Sequence, residues 1–115
     1  MATRAEIRDR AANDLGMLRL GQSLQAQDNT RILAAYDEVF AMLKKEGYAN
    51  WTSTGAVPAE FVPYVATLVA DNCLSTYGVS NDRYVRIKNA ATEALLKIKL
   101  LVAHDYSSQD EGVDY

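Results

Sequence analysis

From residue 25 to residue 46 the chain runs without Gly or Pro, and Ile32, Leu33, Tyr36, Val39, Phe40 and Leu43 recur at the 3.6-residue spacing of a single helix face. A helix of this length with one apolar stripe needs neighbours to cover it. Lys44 and Lys45 suit the negative pole at its end, and Gly47 can take the left-handed conformation that closes it. Elsewhere the chain offers helical patterns and no competing strand pattern.

Thr3 followed by Glu6 has the spacing of a capping box, after which Ile7, Ala11 and Leu15 recur every four residues until Gly16 supplies a stop. The connector MLRLGQSLQAQ follows, pinned to the core by Leu18, Leu20 or Leu24. After the central helix comes YANWTSTGAV, a loop rich in Ser, Thr and Gly that holds the only Trp. A third helix carries Phe61, Val65, Leu68, Val69 and Cys73 toward Gly78. Pro63 disfavours helix at Val62, so the regular helix is expected to begin at Pro63, with Pro58 opening a separate or kinked first turn. Ser80 or Asn81 caps a long last helix over residues 82 to 102, with Val85, Ile87, Ala91, Ala94, Leu95, Ile98, Leu101 and Val102 on or near its buried face. The expected fold class is all-α, a small four-helix bundle with a long loop and an extended acidic C-terminal tail.

At 115 residues and 49% hydrophobic content, one domain can build its core without a disulfide or a metal. Cys73, the single cysteine, reads as a buried, inert thiol in a reducing compartment. The charged N-terminus MATRAEIRDR lacks the apolar region of a signal peptide, and the most apolar window is interrupted by Thr67, Asp71 and Asn72. A membrane span is not expected.

Charge divides the chain in two. Residues 1 to 104 hold all twelve basic residues and eleven of the fifteen acids, whereas 105 to 115 hold the other four acids and no Lys or Arg. A near-neutral body lacks the excess of a dedicated nucleic-acid binder. The reading therefore separates a helical bundle, residues 1 to 102, from a flexible tail, residues 103 to 115. Ordering a residue costs about 1–2 kcal/mol of backbone entropy, and over the tail this exceeds what burying Tyr106, Val113 and Tyr115 returns. Such a tail is expected to be disordered when free and to order only against another surface, with four acids favouring a basic one.

Signs of catalysis are few. His104 beside Asp105 could act as an oriented base or a metal ligand, or simply place charge at a helix end. Catalytic zinc normally takes three protein ligands, but this is the only His and the one Cys lies about 30 residues away. No phosphate-binding, dinucleotide-binding or serine-nucleophile motif is present. No catalytic residue, metal ligand or cofactor is assigned. Arg83, Arg86 and Lys88 could touch phosphate, although Asp82 and Glu93 beside them describe an ordinary mixed surface. Tyr48 and Trp51 form either an interface loop or, for Trp51, a lid folded back over the core.

The order of features resembles a known family. A capped N-terminal helix ending in LG, a connector GQSLQAQD, a long helix ending in KKEGYANW, the stretch VPAEFVPYVATLVADNCLSTYGV and a last helix rich in Ala and Leu are similar to the head-to-tail adaptor proteins of tailed bacteriophages, also called connectors or head-completion proteins. The likeness covers roughly residues 3 to 102, and order and spacing carry it. It implies a non-enzymatic virion protein at the head-tail junction, made in the host cytoplasm. It further implies a homo-oligomeric ring, typically a dodecamer, beneath the portal protein. Such a ring extends the DNA channel, helps retain packaged DNA without reading its sequence, and offers a surface to the tail or to further head-completion proteins. In several members the C-terminal segment leaves the bundle and packs against the portal. The matching portal-binding positions here are Asp105, Tyr106, Asp110, Glu111, Val113, Asp114 and Tyr115. The rival reading, a small helical regulatory or DNA-binding protein, would need a basic recognition helix.

Overall fold

A computed structural model describes the backbone of residues 2 to 17, 25 to 52 and 54 to 113, and the side chains as far as Ala103. The connector leucines Leu18, Leu20 and Leu24 lie outside the described residues. Among the described residues there are four α-helices: α1 (Arg4–Asp14), α2 (Ala26–Lys45), α3 (Val62–Asn72) and α4 (Asn81–Val113). It is a small all-α four-helix bundle.

Local chemistry sets most of the helix ends. Thr3 Oγ1 accepts the Glu6 N–H at 3.2 Å, capping α1, and that helix closes where Gly16 turns to φ +77° so that the Met17 N–H reaches the Ala12 carbonyl at 3.0 Å. Gly47, at φ +80°, closes α2 in the same way, its successor Tyr48 donating to the Leu43 carbonyl at 2.8 Å. Pro58 opens a single 3-10 turn, Ala59–Phe61, and α3 begins at Val62, one residue before the expected start at Pro63: Val62 takes helical backbone in spite of the following proline, whose missing N–H costs nothing in the first turn. Ser80 Oγ accepts the Arg83 N–H at 3.3 Å and caps α4.

The third helix stops at Asn72, short of Gly78. There the Cys73 N–H is shared between the Val69 and Ala70 carbonyls, and the chain continues in tight turns that keep Cys73 and Leu74 buried. At the other end of the molecule, α4 runs past Val102, where the sequence pattern ended the helix and a disordered tail was expected. No Gly or Pro intervenes before Gly112, and extending a helix that already exists avoids the cost of nucleating a new one.

The bundle is built around α3, which packs against α4, α1 and α2, while α1 also rests on α2. The core holds Ile7, Ile32, Tyr36, Leu43, Phe61, Val65, Val69 and Ile98, all nearly inaccessible to solvent. Val57 and Ala2 exchange backbone hydrogen bonds of 2.8 and 3.1 Å, pinning the long loop to the N-terminus. The molecule measures 54 × 29 × 24 Å. At 1.5 Å per residue, α4 alone accounts for about 50 Å of its length.

Candidate functional site

Of the two readings of Trp51, interface anchor or lid folded back over the core, the structure shows the lid: the residue is buried. Its ring lies 5.3 Å from that of Phe61 and 6.2 Å from that of Phe40, and its Nε1–H donates to the Tyr36 hydroxyl at 3.3 Å. The loop folds back because an indole with a hydrogen-bond partner gains more under the bundle end than in water. Tyr48 is half-buried against the same core. Burial raises the Tyr36 hydroxyl above its ordinary pKa, with the Trp51 hydrogen bond opposing. Beside this cluster, Arg4 grips the Asp37 carboxylate at 2.7 and 2.8 Å and lies 5.8 Å from the Tyr36 ring centroid, tying α1 to α2.

The basic start of α4 is largely committed to the fold. Arg83 Nη1 donates to the Asp14 carbonyl at 3.0 Å, satisfying a free carbonyl at the end of α1. Lys88 Nζ stands 3.1 Å from Asp71 Oδ1 on α3; that oxygen is enclosed and has no aligned hydrogen-bond donor among the described residues, so the ammonium compensates it by charge. Arg86 and Arg83 line an open cleft of about 440 Å³ with Asn13, Asp14, Thr67 and Ile87. Desolvation raises the Asp14 carboxyl, against the pull of Arg10, Arg83 and Arg86. Its carboxylate makes the cleft a mixed surface rather than an anion site.

Cys73 is buried and its thiol is pushed up to about 11 by desolvation, reinforced by the charge of Glu38. At neutral pH it is protonated and a poor nucleophile. Nearby, the Tyr77 hydroxyl donates to Asp28 at 3.1 Å and latches the α3–α4 turn onto the start of α2. Burial and that carboxylate push the Tyr77 hydroxyl up to about 12. Among the described residues no group of three or more His, Cys, Asp or Glu could hold a metal ion, and no helix is long and apolar enough to cross a membrane. His104 and the portal-binding candidates Asp105, Tyr106, Asp110, Glu111, Val113, Asp114 and Tyr115 have side chains outside the described residues.

The surface that remains is the outer face of α4. Ile87, Ala91, Ala94 and Ile98 form its buried stripe. Val85 was expected near that stripe, yet 100° per residue places it about half a turn away, and it is exposed. Leu96 and Leu100 share the outward side with it and are likewise exposed. The sequence reading assigned neither leucine. Spacing could have found them, because a buried stripe at 87, 91, 94 and 98 leaves positions 85, 96 and 100 facing outward.

No family model, curated protein or solved structure matches the chain.

Proposed function

We propose that the chain is a structural subunit of a tailed-bacteriophage virion, a head-to-tail adaptor that assembles as a ring beneath the portal protein. In that role it extends the DNA channel, helps retain the packaged genome, and offers a docking surface to the tail or to further head-completion proteins. Its task is assembly, with no covalent step. The observation that carries this reading is the way α4 outruns its bundle. Helical backbone continues to Val113, well beyond Ile98, the last fully buried residue among the described side chains, and this stretch carries Asp105, Asp110 and Glu111 in the sequence, with Asp114 just after it. A small bundle with an acidic arm is suited to joining other subunits. The near-neutral body also fits a channel wall that DNA passes without being gripped.

The resemblance in the order of features over residues 3 to 102 supports the choice of family. The test is to mix the full chain with purified portal of the same phage and image the product by electron microscopy. A ring of copies on one portal face is expected; no binding would overturn the reading.

A further inference from the structure

The outer face of α4 is an apolar surface within a basic frame. Val85, Leu96 and Leu100 are 56%, 57% and 55% exposed; the uncharged Asn89 and Thr92 lie between them along the face, and Glu93 stands at its edge beside Leu100. Residues 85 to 100 carry Arg86, Lys88, Lys97 and Lys99 against one acid, Glu93. Lys88 is engaged by Asp71, whereas Arg86, Lys97 and Lys99 make no salt bridge among the described residues. The occupant of such a face needs apolar side chains and negative charge.

A second copy of the same face does not qualify. An antiparallel pair that sets Val85 opposite Leu100 brings Arg86 of one copy against Lys97 of the other and Lys88 against Lys99, and a parallel pair brings the flank of Arg86 and Lys97 against that of Lys88 and Lys99. Like charges in direct apposition oppose association. The chain's densest acidic stretch does qualify. Residues 104 to 115 combine Asp105, Asp110, Glu111 and Asp114 with Tyr106, Val113 and Tyr115, and contain no Lys or Arg. Within one molecule the two cannot meet, because the backbone as far as Val113 is α4 itself and leads away from residues 85 to 100.

We infer that the outer face of α4 receives the acidic C-terminal segment, residues 104 to 115, of a second copy of this chain. Donor and acceptor are different surfaces, and each copy carries one of each. The contact is therefore heterologous, and it closes as a ring where the rotation between neighbours permits and otherwise continues as a filament. The ring geometry rests on the adaptor reading above, while the receptor of the segment becomes the adjacent subunit rather than the portal.

The experiment is sedimentation velocity on the full chain over a concentration series, at low and high salt. Wild type should self-associate, more weakly as salt rises. Lys97→Glu with Lys99→Glu, or Asp110→Lys with Glu111→Lys, should each weaken association tenfold or more. The quadruple variant, and an equimolar mixture of the two double variants, should recover it. Circular dichroism of each variant shows whether the fold is intact, and Lys97 and Lys99 are exposed positions. A wild-type chain that remains monomeric throughout would overturn the inference, as would reversals without effect or a quadruple variant that does not recover. Association that survives deletion of residues 104 to 115 would also overturn it and point to self-pairing of α4. Rings formed on the portal equally well by the full and the deleted chain would leave the adaptor reading standing while this inference falls. Charge-swappable association without any portal binding would do the reverse.

Discussion

The guanidinium of Arg83 lies against Gly16 so closely that a β-carbon on the glycine would come within 2.7 Å of Nη1. The same group donates to the Asp14 carbonyl at 3.0 Å, so one side chain from α4 both caps α1 and requires its last turn to lack a side chain. Gly16 also sits at φ +77°, where an L-residue costs about 1–2 kcal/mol. Gly16→Ala should therefore lower unfolding free energy by about 1–3 kcal/mol, combining that strain with a displaced Arg83 hydrogen bond. Arg83→Ala alone should cost about 0.5–1.5 kcal/mol. In urea unfolding the double variant should lose less than the two single losses added, because both remove one interaction.

Trp51 is the only tryptophan, which makes its burial directly observable. Native fluorescence should be blue-shifted and should move to the red in a single unfolding transition. Trp51→Ala removes a ring packed on Phe61 and Phe40 and should cost about 3–5 kcal/mol. Trp51→Phe keeps most of the apolar area but leaves the Tyr36 hydroxyl without its donor, and should cost less.

The features legible in the sequence were those set by neighbours along the chain. Thr3 with Glu6, the stops at Gly16 and Gly47, and the proline-led start of α3 each depend on residues within a turn or two. What escaped depends on distance. The Arg83 to Asp14 contact spans 69 positions, and the Ala2–Val57 bridge pairs a terminus with a loop that carries no strand pattern. Trp51 was open to two readings because nothing local says whether Phe61 and Tyr36 will converge beneath it. Val85 was placed near the core because apolar residues on opposite faces of a long helix look alike until the buried stripe is known. The candidate site was thus legible as residue types, while which face of α4 stays uncovered was decided by α3.

Cys73 gives a pH prediction. Its thiol has an ordinary value of 9.0 and is held at about 11 in the folded chain, so the folded state keeps a proton that the unfolded state releases. The associated stability is present in full below pH 9 and is lost as pH rises toward about 11. Cys73→Ala should flatten the alkaline part of the stability profile measured by urea unfolding. In the native chain, modification of the thiol by a disulfide reagent at pH 8 should be at least about 100-fold slower than in urea, following the thiolate fraction alone.

The continuation of α4 beyond its packed part can be tested without any partner. Helical backbone over residues 104 to 113 is an extension of a helix already nucleated and held by the bundle, so its hydrogen bonds form with little added ordering cost. Ser107→Pro removes one N–H donor and clashes with the preceding turn, at about 3 kcal/mol or more for an interior position. The helix should then end near residue 103, and ellipticity at 222 nm should fall as far as it does on deleting residues 104 to 115. Among the described side chains the core contacts end with Ile98 and the partly buried Leu101 and Val102, so at protein concentrations too low for self-association the melting temperature should not change in either variant. A melting temperature lowered by Ser107→Pro would mean that the segment packs back on the bundle; an unchanged ellipticity would mean that these residues are not helical in solution.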